Sequence, residues 1–235
     1  MAGEIFKKKL NFSYKKTKLI PKSPPTIEEQ ELYIEHFKEI CETPGNIVVF
    51  FDPVHQIYNS MTGGCWQEKG RGNTKTVRST NSKKRVTILG GINPMTKDIY
   101  TIITESNCDR FMVEAWMREL KEMLVAQYGE GLKGMKIYII MDNASYNKAG
   151  LVDEVAEELN LNLIDLPPYA PNLNLIERLW KFFKKEKIRN RFYETYNSFL
   201  EMIFDFFKNI KQDNLEKLNS LMTMNFEIIK ADYYK

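Results

Sequence analysis

The chain has 235 residues, of which 43% are hydrophobic and 12% aromatic, so it can form one large domain, with or without appendages, around a packed core. It has no run of about 18 apolar residues and no apolar segment after its lysine-rich start, so the sequence supports neither a membrane span nor a signal peptide, and we expect a cytoplasmic protein. The three cysteines, Cys41, Cys65 and Cys108, are far apart, which argues against a disulfide framework and a Cys-x-x-Cys zinc site.

The first 25 residues are basic and end in Pro24-Pro25, which predicts an arm or linker rather than an independent domain. Thr26 and Glu29 have the spacing of a capping box and predict the start of a helix, which Pro44-Gly45 should end.

Two apolar runs, NIVVFFD and KIYIIMD, each end in an aspartate, Asp52 and Asp142, and each is followed by a residue that turns the chain, Pro53 or Asn143. Such runs are typical of strands buried on both faces. In open α/β sheets the site lies outside the carboxyl ends of the strands, where both aspartates should fall. The alternative is that each aspartate only opens a turn.

Residues 58–83 are rich in glycine and cations and show little alternation, so they predict a long excursion from the domain, and excursions of this length are usually functional. Trp66 could stack on a ligand, pack on a neighbouring chain or pack in the core. Strands are then predicted at 85–92, 98–104 and 162–166, and helices at 108–128 and 149–159.

The stretch 166–185, LPPYAPNLNLIERLWKFFKK, turns a buried strand through prolines into an amphipathic helix. Asn174 can accept hydrogen bonds from the first free N–H groups of that helix. Ile176, Leu179, Trp180 and Phe183 should form its buried stripe, and Glu177 lies in its first turn, off the stripe. Glu177 could instead be only the second member of a capping box with Asn174.

The net charge is only +3, but cations are clustered. Clusters lie in residues 7–22, in the excursion and after Glu177. The residues predicted to bind a nucleic-acid backbone are Lys69, Arg71, Lys75, Arg78, Arg178, Lys181, Lys184 and Lys185. Three such clusters flanking three acids favour a polyanion held over a metal site, although a single charge run is more often a solvated face.

The set Asp52, Asp142-Asn143 and PPYAPNLNLIERLW resembles the DDE catalytic domain of mariner-superfamily transposases, specifically their bacterial insertion-sequence branch. The segment 143–176 between the last two acids has the length typical of that superfamily, and Trp66-x-x-x-Gly70 and RVTILGGI also match its pattern. The resemblance covers roughly residues 45–190.

The resemblance implies an α/β protein with a ribonuclease H-like fold, in which helices flank a mixed sheet. Residues 1–25 would be a basic arm left from a helix-turn-helix region, and residues 26–191 would be the catalytic domain, with a clamp at 58–83. Residues 192–235, whose apolar spacing predicts helices, should pack on the core.

Three carboxylates at strand ends are hard oxygen ligands, which suit Mg²⁺ or Mn²⁺ rather than zinc. Two such ions would activate the attacking water or 3′-hydroxyl and stabilise the leaving oxygen, with Asp52 bridging both ions and Asp142 and Glu177 each holding one. Asn143, Tyr146 and His55 are candidates to support these acids.

The resemblance further implies cleavage of DNA at transposon ends and transfer of the 3′-hydroxyl to a TA target by a homodimer, associated with the nucleoid of a bacterium and using no small-molecule cofactor. The sequence departs from the family at Pro53, Asn147 and Asn172-Leu173-Asn174-Leu175. These departures affect how the acids are positioned and leave the acids themselves unchanged. Two alternatives stay open: an inert truncated transposase that binds DNA, dimerises and regulates, and a nuclease acting on RNA–DNA hybrids.

Overall fold

The structure is a computed structural model that describes residues 24–147 and 150–230, without the side chain of Arg71. The predicted basic arm lies almost entirely outside the described residues. The elements in chain order are α1 (Ile27–Glu42), β1 (Asn46–Ile57), β2 (Arg85–Ile92), β3 (Ile99–Thr104), α2 (Arg110–Tyr128), β4 (Lys136–Met141), α3 (Gly150–Glu158), β5 (Leu161–Asp165), α4 (Ile176–Phe183), α5 (Tyr196–Asp213) and α6 (Leu215–Leu221). None of these helices is long and apolar enough to cross a membrane.

The five strands form one mixed sheet in the order β3-β2-β1-β4-β5. β1 pairs with β2 and β2 with β3 in antiparallel fashion, whereas β1, β4 and β5 run parallel. Helices cover both faces, as the apolar strands predicted: α1, α4 and α5 pack on one face, and α2 and α3 on the other. This is the mixed sheet flanked by helices that the ribonuclease H-like fold requires.

Local signals predicted most element boundaries to within two residues. Thr26 Oγ1 accepts from Glu29 N at 3.1 Å, and the Glu29 carboxylate accepts from Thr26 N at 2.7 Å, so the predicted capping box opens α1. Asp109 caps α2 by accepting from the N–H groups of Phe111 and Met112.

The predicted turn at Pro53 is wrong, because β1 continues through Asp52 and Pro53 to Ile57. The parallel pairing with β4 ends at Phe50 and Ile140, while the antiparallel pairing with β2 continues. Beyond Phe50, β1 therefore has a free edge on the β4 side, and a proline without an N–H group is tolerated on such an edge.

The excursion between β1 and β2 is a loop in the described part of the chain, with one short 3₁₀ turn (Arg71–Asn73) and a single bridge from Met61 to Arg189. Its two ends meet where Tyr58 N donates to Lys84 O at 2.8 Å. Trp66 is fully exposed, so it does not pack in the core formed by the described residues.

Candidate active site

The parallel register of β1 and β4 brings the two aspartates to the same edge of the sheet. Phe50 lies opposite Ile140, and each aspartate follows two residues later in its own chain. Side chains alternate between the faces of a strand, so Asp52 points to the same face as Phe50, which packs with α1 and α4.

Glu177 reaches this edge through the connection that follows β5. Leu166 N donates to Met141 O at 2.8 Å, and the chain then turns through prolines and a 3₁₀ turn (Pro171–Leu173) before α4 begins. Buried Asn174 accepts from Ile176 N at 3.3 Å, close to the predicted cap, and donates to Phe51 O at 3.0 Å. Asn174 thus ties the start of α4 to the residue before Asp52.

Asp52, Asp142 and Glu177 line one open cavity of about 450 Å³, which we call the acid cavity. Its remaining lining comes from Asn143 and Ala144 after β4, from Asn174, and from the stretch 166–171. The structure therefore brings the three acids singled out in the sequence to one solvent-accessible place.

Asp52 is the acid whose electrostatic environment is most unusual. Burial, followed by the charges of Glu177 and Asp142, raises its pKa from 3.8 to about 8. A hydrogen bond from Trp180 Nε1 to Asp52 Oδ2, 3.0 Å long, and the charge of Lys184 act in the opposite direction. The site thus holds carboxylates that repel one another and would be stabilised by added positive charge.

Asp142 is oriented by its own loop. Its Oδ1 accepts from Ala144 N at 3.0 Å and from Asn147 Nδ2 at 2.8 Å, and Asn147 Nδ2 also donates to Asp142 O at 3.1 Å. Asn147 is buried, so this contact is shielded from water. The sequence showed Asn147 only as a departure from the family pattern, and its contact with Asp142 depends on the turn that follows β4.

The three residues predicted to support the acids have different positions. Asn143 lines the acid cavity and donates to Leu166 O at 2.5 Å, which joins the ends of β4 and β5. Tyr146 is half-buried, and burial and the charge of Asp142 raise the pKa of its hydroxyl. His55 is an odd number of residues from Asp52, so it projects from the other face of β1, where its Nδ1 lies 3.0 Å from Thr87 Oγ1; it is not next to Asp52 in this structure.

Trp180 and Gly90 are site residues that the sequence did not reveal. Trp180 was predicted only as part of the buried stripe of α4, yet its N–H group holds Asp52. Gly90 lies directly opposite Asp52 in β2, and a Cβ there would lie 2.4 Å from Trp180 Cη2. A side chain at position 90 would therefore displace the indole that contacts Asp52.

The predicted DNA-binding cations differ in their availability. Lys69, Lys75, Arg78, Lys181 and Lys185 are exposed, whereas the side chain of Arg71 lies outside the described residues. Lys184 is half-buried at the start of a π-helical turn (Lys184–Ile188), and its charge lowers the pKa of Asp52.

Arg178 requires a correction, because its guanidinium is bound by the main chain of the protein itself. It donates to the main-chain oxygens of Leu221, Thr223 and Asn225 at 2.7–2.8 Å and lies 5.3 Å from the centre of the Phe226 ring. The prediction failed because it took the cation cluster after Glu177 as one surface, whereas Arg178 holds the segment after α6.

Residues 46–200 match the family described as "DDE superfamily endonuclease". No curated protein matches the chain significantly.

Several solved structures share the fold at low sequence identity. The structure is similar to the Mos1 strand transfer complex, with a TM-score of 0.69 and 13% identity over 94% of this chain and 64% of that chain. It is also similar to the Mos1 mariner paired end complex with Mn, with a TM-score of 0.68 and 13% identity over 94% of this chain and 68% of that chain. The catalytic domain of Mos1 mariner transposase matches with a TM-score of 0.53 and 13% identity over 83% of this chain and 87% of that chain.

These similarities confirm the predicted ribonuclease H-like fold, while this chain spans 64% of the length of the chain in the strand transfer complex. The family match covers the sheet, the acid cavity and α4. The chain therefore belongs to the DDE superfamily endonuclease family.

Proposed function

We propose that this protein is the catalytic domain of a transposase, which cleaves DNA at transposon ends and joins the freed 3′-hydroxyl to target DNA. The observation that carries this proposal is the meeting of Asp52, Asp142 and Glu177 at one open cavity, where burial and mutual repulsion raise the pKa of Asp52. Repelling carboxylates on three separate segments would oppose folding unless cations joined them, so the arrangement favours a divalent-metal site.

The proposal places two ions in the acid cavity. Among the residues that the structure describes, no three His, Cys, Asp or Glu side chains are placed to hold a single ion together. In this proposal each ion would be held by a pair of acids, one by Asp52 with Asp142 and the other by Asp52 with Glu177. Oxygen ligands favour Mg²⁺ or Mn²⁺, which when bound would activate the attacking oxygen and stabilise the leaving one.

In this proposal the side chains of the protein orient the three acids and form no covalent bond with DNA. Trp180 and Asn147 fix the orientation of Asp52 and Asp142, and Asn174 holds α4 so that Glu177 faces the acid cavity. None of the three acids needs to accept a proton. In hydrolysis water attacks phosphorus and the 3′-oxygen leaves with a proton. In transfer that 3′-hydroxyl loses its proton and attacks a target phosphorus, and the 3′-oxygen of the cut target strand leaves and takes up a proton.

The partners follow from the same proposal. The exposed cations of the excursion and of the segment after α4 would bind the DNA backbone on either side of the acid cavity. The similar Mos1 structures include a transposase catalytic domain, a paired-end complex with the left transposon end, and paired end complexes with Mn and with Mg. By that similarity we propose a homodimer that holds two DNA ends through the excursion at 58–83 and inserts at TA. We also propose a bacterial insertion-sequence origin, with the protein at the nucleoid.

Nicking of supercoiled plasmid in Mn²⁺ tests the chemistry. We expect the wild-type protein to nick, and Glu177→Gln and Asp142→Ala to lose nicking while retaining circular dichroism and plasmid binding. Nicking that survives in purified Asp142→Ala protein would refute the assignment. If the wild-type protein binds DNA but neither nicks it nor binds Mn²⁺ in calorimetry, the result would instead support the inert regulator.

A further inference from the structure

Tyr169 stands in an unfavourable backbone conformation at the mouth of the acid cavity. It lies in a turn of residues 167–170, which we call the proline turn, closed by a hydrogen bond from Ala170 N to Pro167 O of 3.3 Å. Pro167 and Ala170 are buried and anchor the turn, whereas Tyr169 has φ +59° and a side chain that is 62% exposed. A positive φ at the third position of a turn favours glycine or asparagine.

The protein uses suitable residues at the other places of this kind. Among the described residues, the other non-glycine positions with positive φ are Asn81, Asn160, Asn190 and Lys97. Asparagine tolerates this region of backbone space, and the Lys97 ammonium returns to the carbonyls of Pro94 and Met95 in its own loop. Tyr169 is the exception, because within the described residues its ring takes part in no hydrogen bond and no ring contact.

The tyrosine ring is therefore mostly exposed and offers the fold little burial to offset this backbone conformation. Strain of this kind is concentrated at sites where a side chain must be presented to a ligand. Tyr169 lines the same cavity as Asp52, Asp142 and Glu177. The proline turn is rigid and holds the ring in place, so little conformational entropy is lost when a ligand binds to it.

We propose that Tyr169 is a DNA-contacting residue, whose ring stacks on an unpaired nucleobase next to the phosphodiester held at the acid cavity. This inference rests on the proposed function. A phosphate bound by the acids through cations carries a sugar and base on either side, and one of these bases must pass the cavity mouth. Every base presents an aromatic face, so the contact requires no particular sequence.

Three proteins test the inference: wild type, Tyr169→Phe, which keeps the ring, and Tyr169→Asn, which suits the backbone but lacks the ring. Binding is measured by fluorescence anisotropy in Ca²⁺ with a labelled duplex that has a short single-stranded 3′ overhang, and with a blunt duplex as the matched probe. We expect Tyr169→Asn to bind the overhang probe about tenfold more weakly, which corresponds to ~1.4 kcal/mol. Tyr169→Phe should stay within about twofold of wild type, and the blunt probe should change less.

Thermal unfolding separates this role from a structural one. Because asparagine suits a positive φ, Tyr169→Asn should have a midpoint at least as high as wild type. A lower midpoint would show that the ring supports the fold, and unchanged binding of the overhang probe would show that no base stacks on it; either result overturns the inference alone. A wild-type protein that binds neither probe would overturn the proposed function and this inference with it.

Discussion

Gly90→Ala should damage the fold and the acid cavity together, because the new methyl group meets the indole that holds Asp52. The added Cβ would lie 2.4 Å and 2.8 Å from Trp180 Cη2 and Cζ2, and 3.3 Å from Ile176 Cδ1. Carbon atoms pack at about 3.5–4.0 Å, so the indole must move by roughly 1 Å or more. Overpacking of this kind costs about 1–3 kcal/mol, and alanine's lower backbone entropy in the unfolded chain offsets about 0.5–1 kcal/mol of it.

The displacement should also weaken metal binding. Trp180 Nε1 lies 3.0 Å from Asp52 Oδ2, and this hydrogen bond lowers the pKa of Asp52. When the bond is lost, protons compete more strongly with cations for the carboxylate, and a net hydrogen-bond loss of about 1 kcal/mol corresponds to roughly fivefold weaker Mn²⁺ binding. Urea unfolding measures the first effect, and Mn²⁺ calorimetry on the folded protein measures the second.

Gly91→Ala provides a matched control on the other face of the same strand. Its Cβ would lie 2.4 Å from Trp116 Cζ2 and 2.6 Å from Val49 Cγ1, so it should destabilise the fold by a similar amount. Trp116 packs away from the acids, so Mn²⁺ affinity should be unchanged. Equal losses of affinity in the two variants, or an unchanged unfolding curve for Gly90→Ala, would refute the reasoning.

Three further predictions concern charge and orientation. The pKa of Asp52 rises from 3.8 to about 8 on folding, so the folded state binds the extra proton and the metal-free protein should lose stability as pH rises from about 4 to 8. Urea unfolding at both pH values should show a loss on the order of 2 kcal/mol, reduced by water in the open cavity, and Asp52→Asn should abolish it. Arg178→Met should lower the free energy of unfolding in urea by about 3 kcal/mol and leave the salt dependence of DNA binding unchanged. Lys185→Met should leave the free energy of unfolding unchanged and reduce the salt dependence of DNA binding. Asn147→Ala frees the Asp142 carboxylate and should weaken Mn²⁺ binding in calorimetry about fivefold.

Much of the fold could be predicted because its signals are local. The apolar run before Asp142 fixed β4, the stripe of α4 is fully buried, and the capping box at Thr26 opens α1. The meeting of the aspartates also follows from local information. Each aspartate directly follows an apolar strand, and the carboxyl ends of neighbouring parallel strands lie side by side at one edge of the sheet. Glu177 could be singled out from its place in the first turn of α4, off the buried stripe, but no local signal fixes where the connection after β5 leads, so its meeting with the aspartates could not be derived from periodicity.

Other features depend on contacts between distant segments, which periodicity does not encode. β1 continues through Pro53 because its pairing with β4 ends at Phe50, and the sequence of β1 alone does not indicate where that pairing ends. Arg178 is occupied by carbonyls that lie more than 40 residues later in the chain. For the same reason the sequence did not predict the packing of Trp180 against Gly90, since neither residue's local sequence indicates the other as its partner.

Asp52 is the point where the stability of this fold and its proposed chemistry oppose each other. Its position on the central strand places it between Asp142 and Glu177, so it bears the repulsion of both, and burial removes the water that would screen that repulsion. Within the described residues it has a neutral donor, Trp180, and a cation, Lys184, which together leave its pKa high. A fold that needed only stability would place an apolar residue here, as it does at Phe50 on the same face. The carboxylate at this position is best explained if divalent cations supply the positive charge that the site lacks when DNA is bound. The same three negative charges that repel one another in the metal-free protein would then attract and hold the ions.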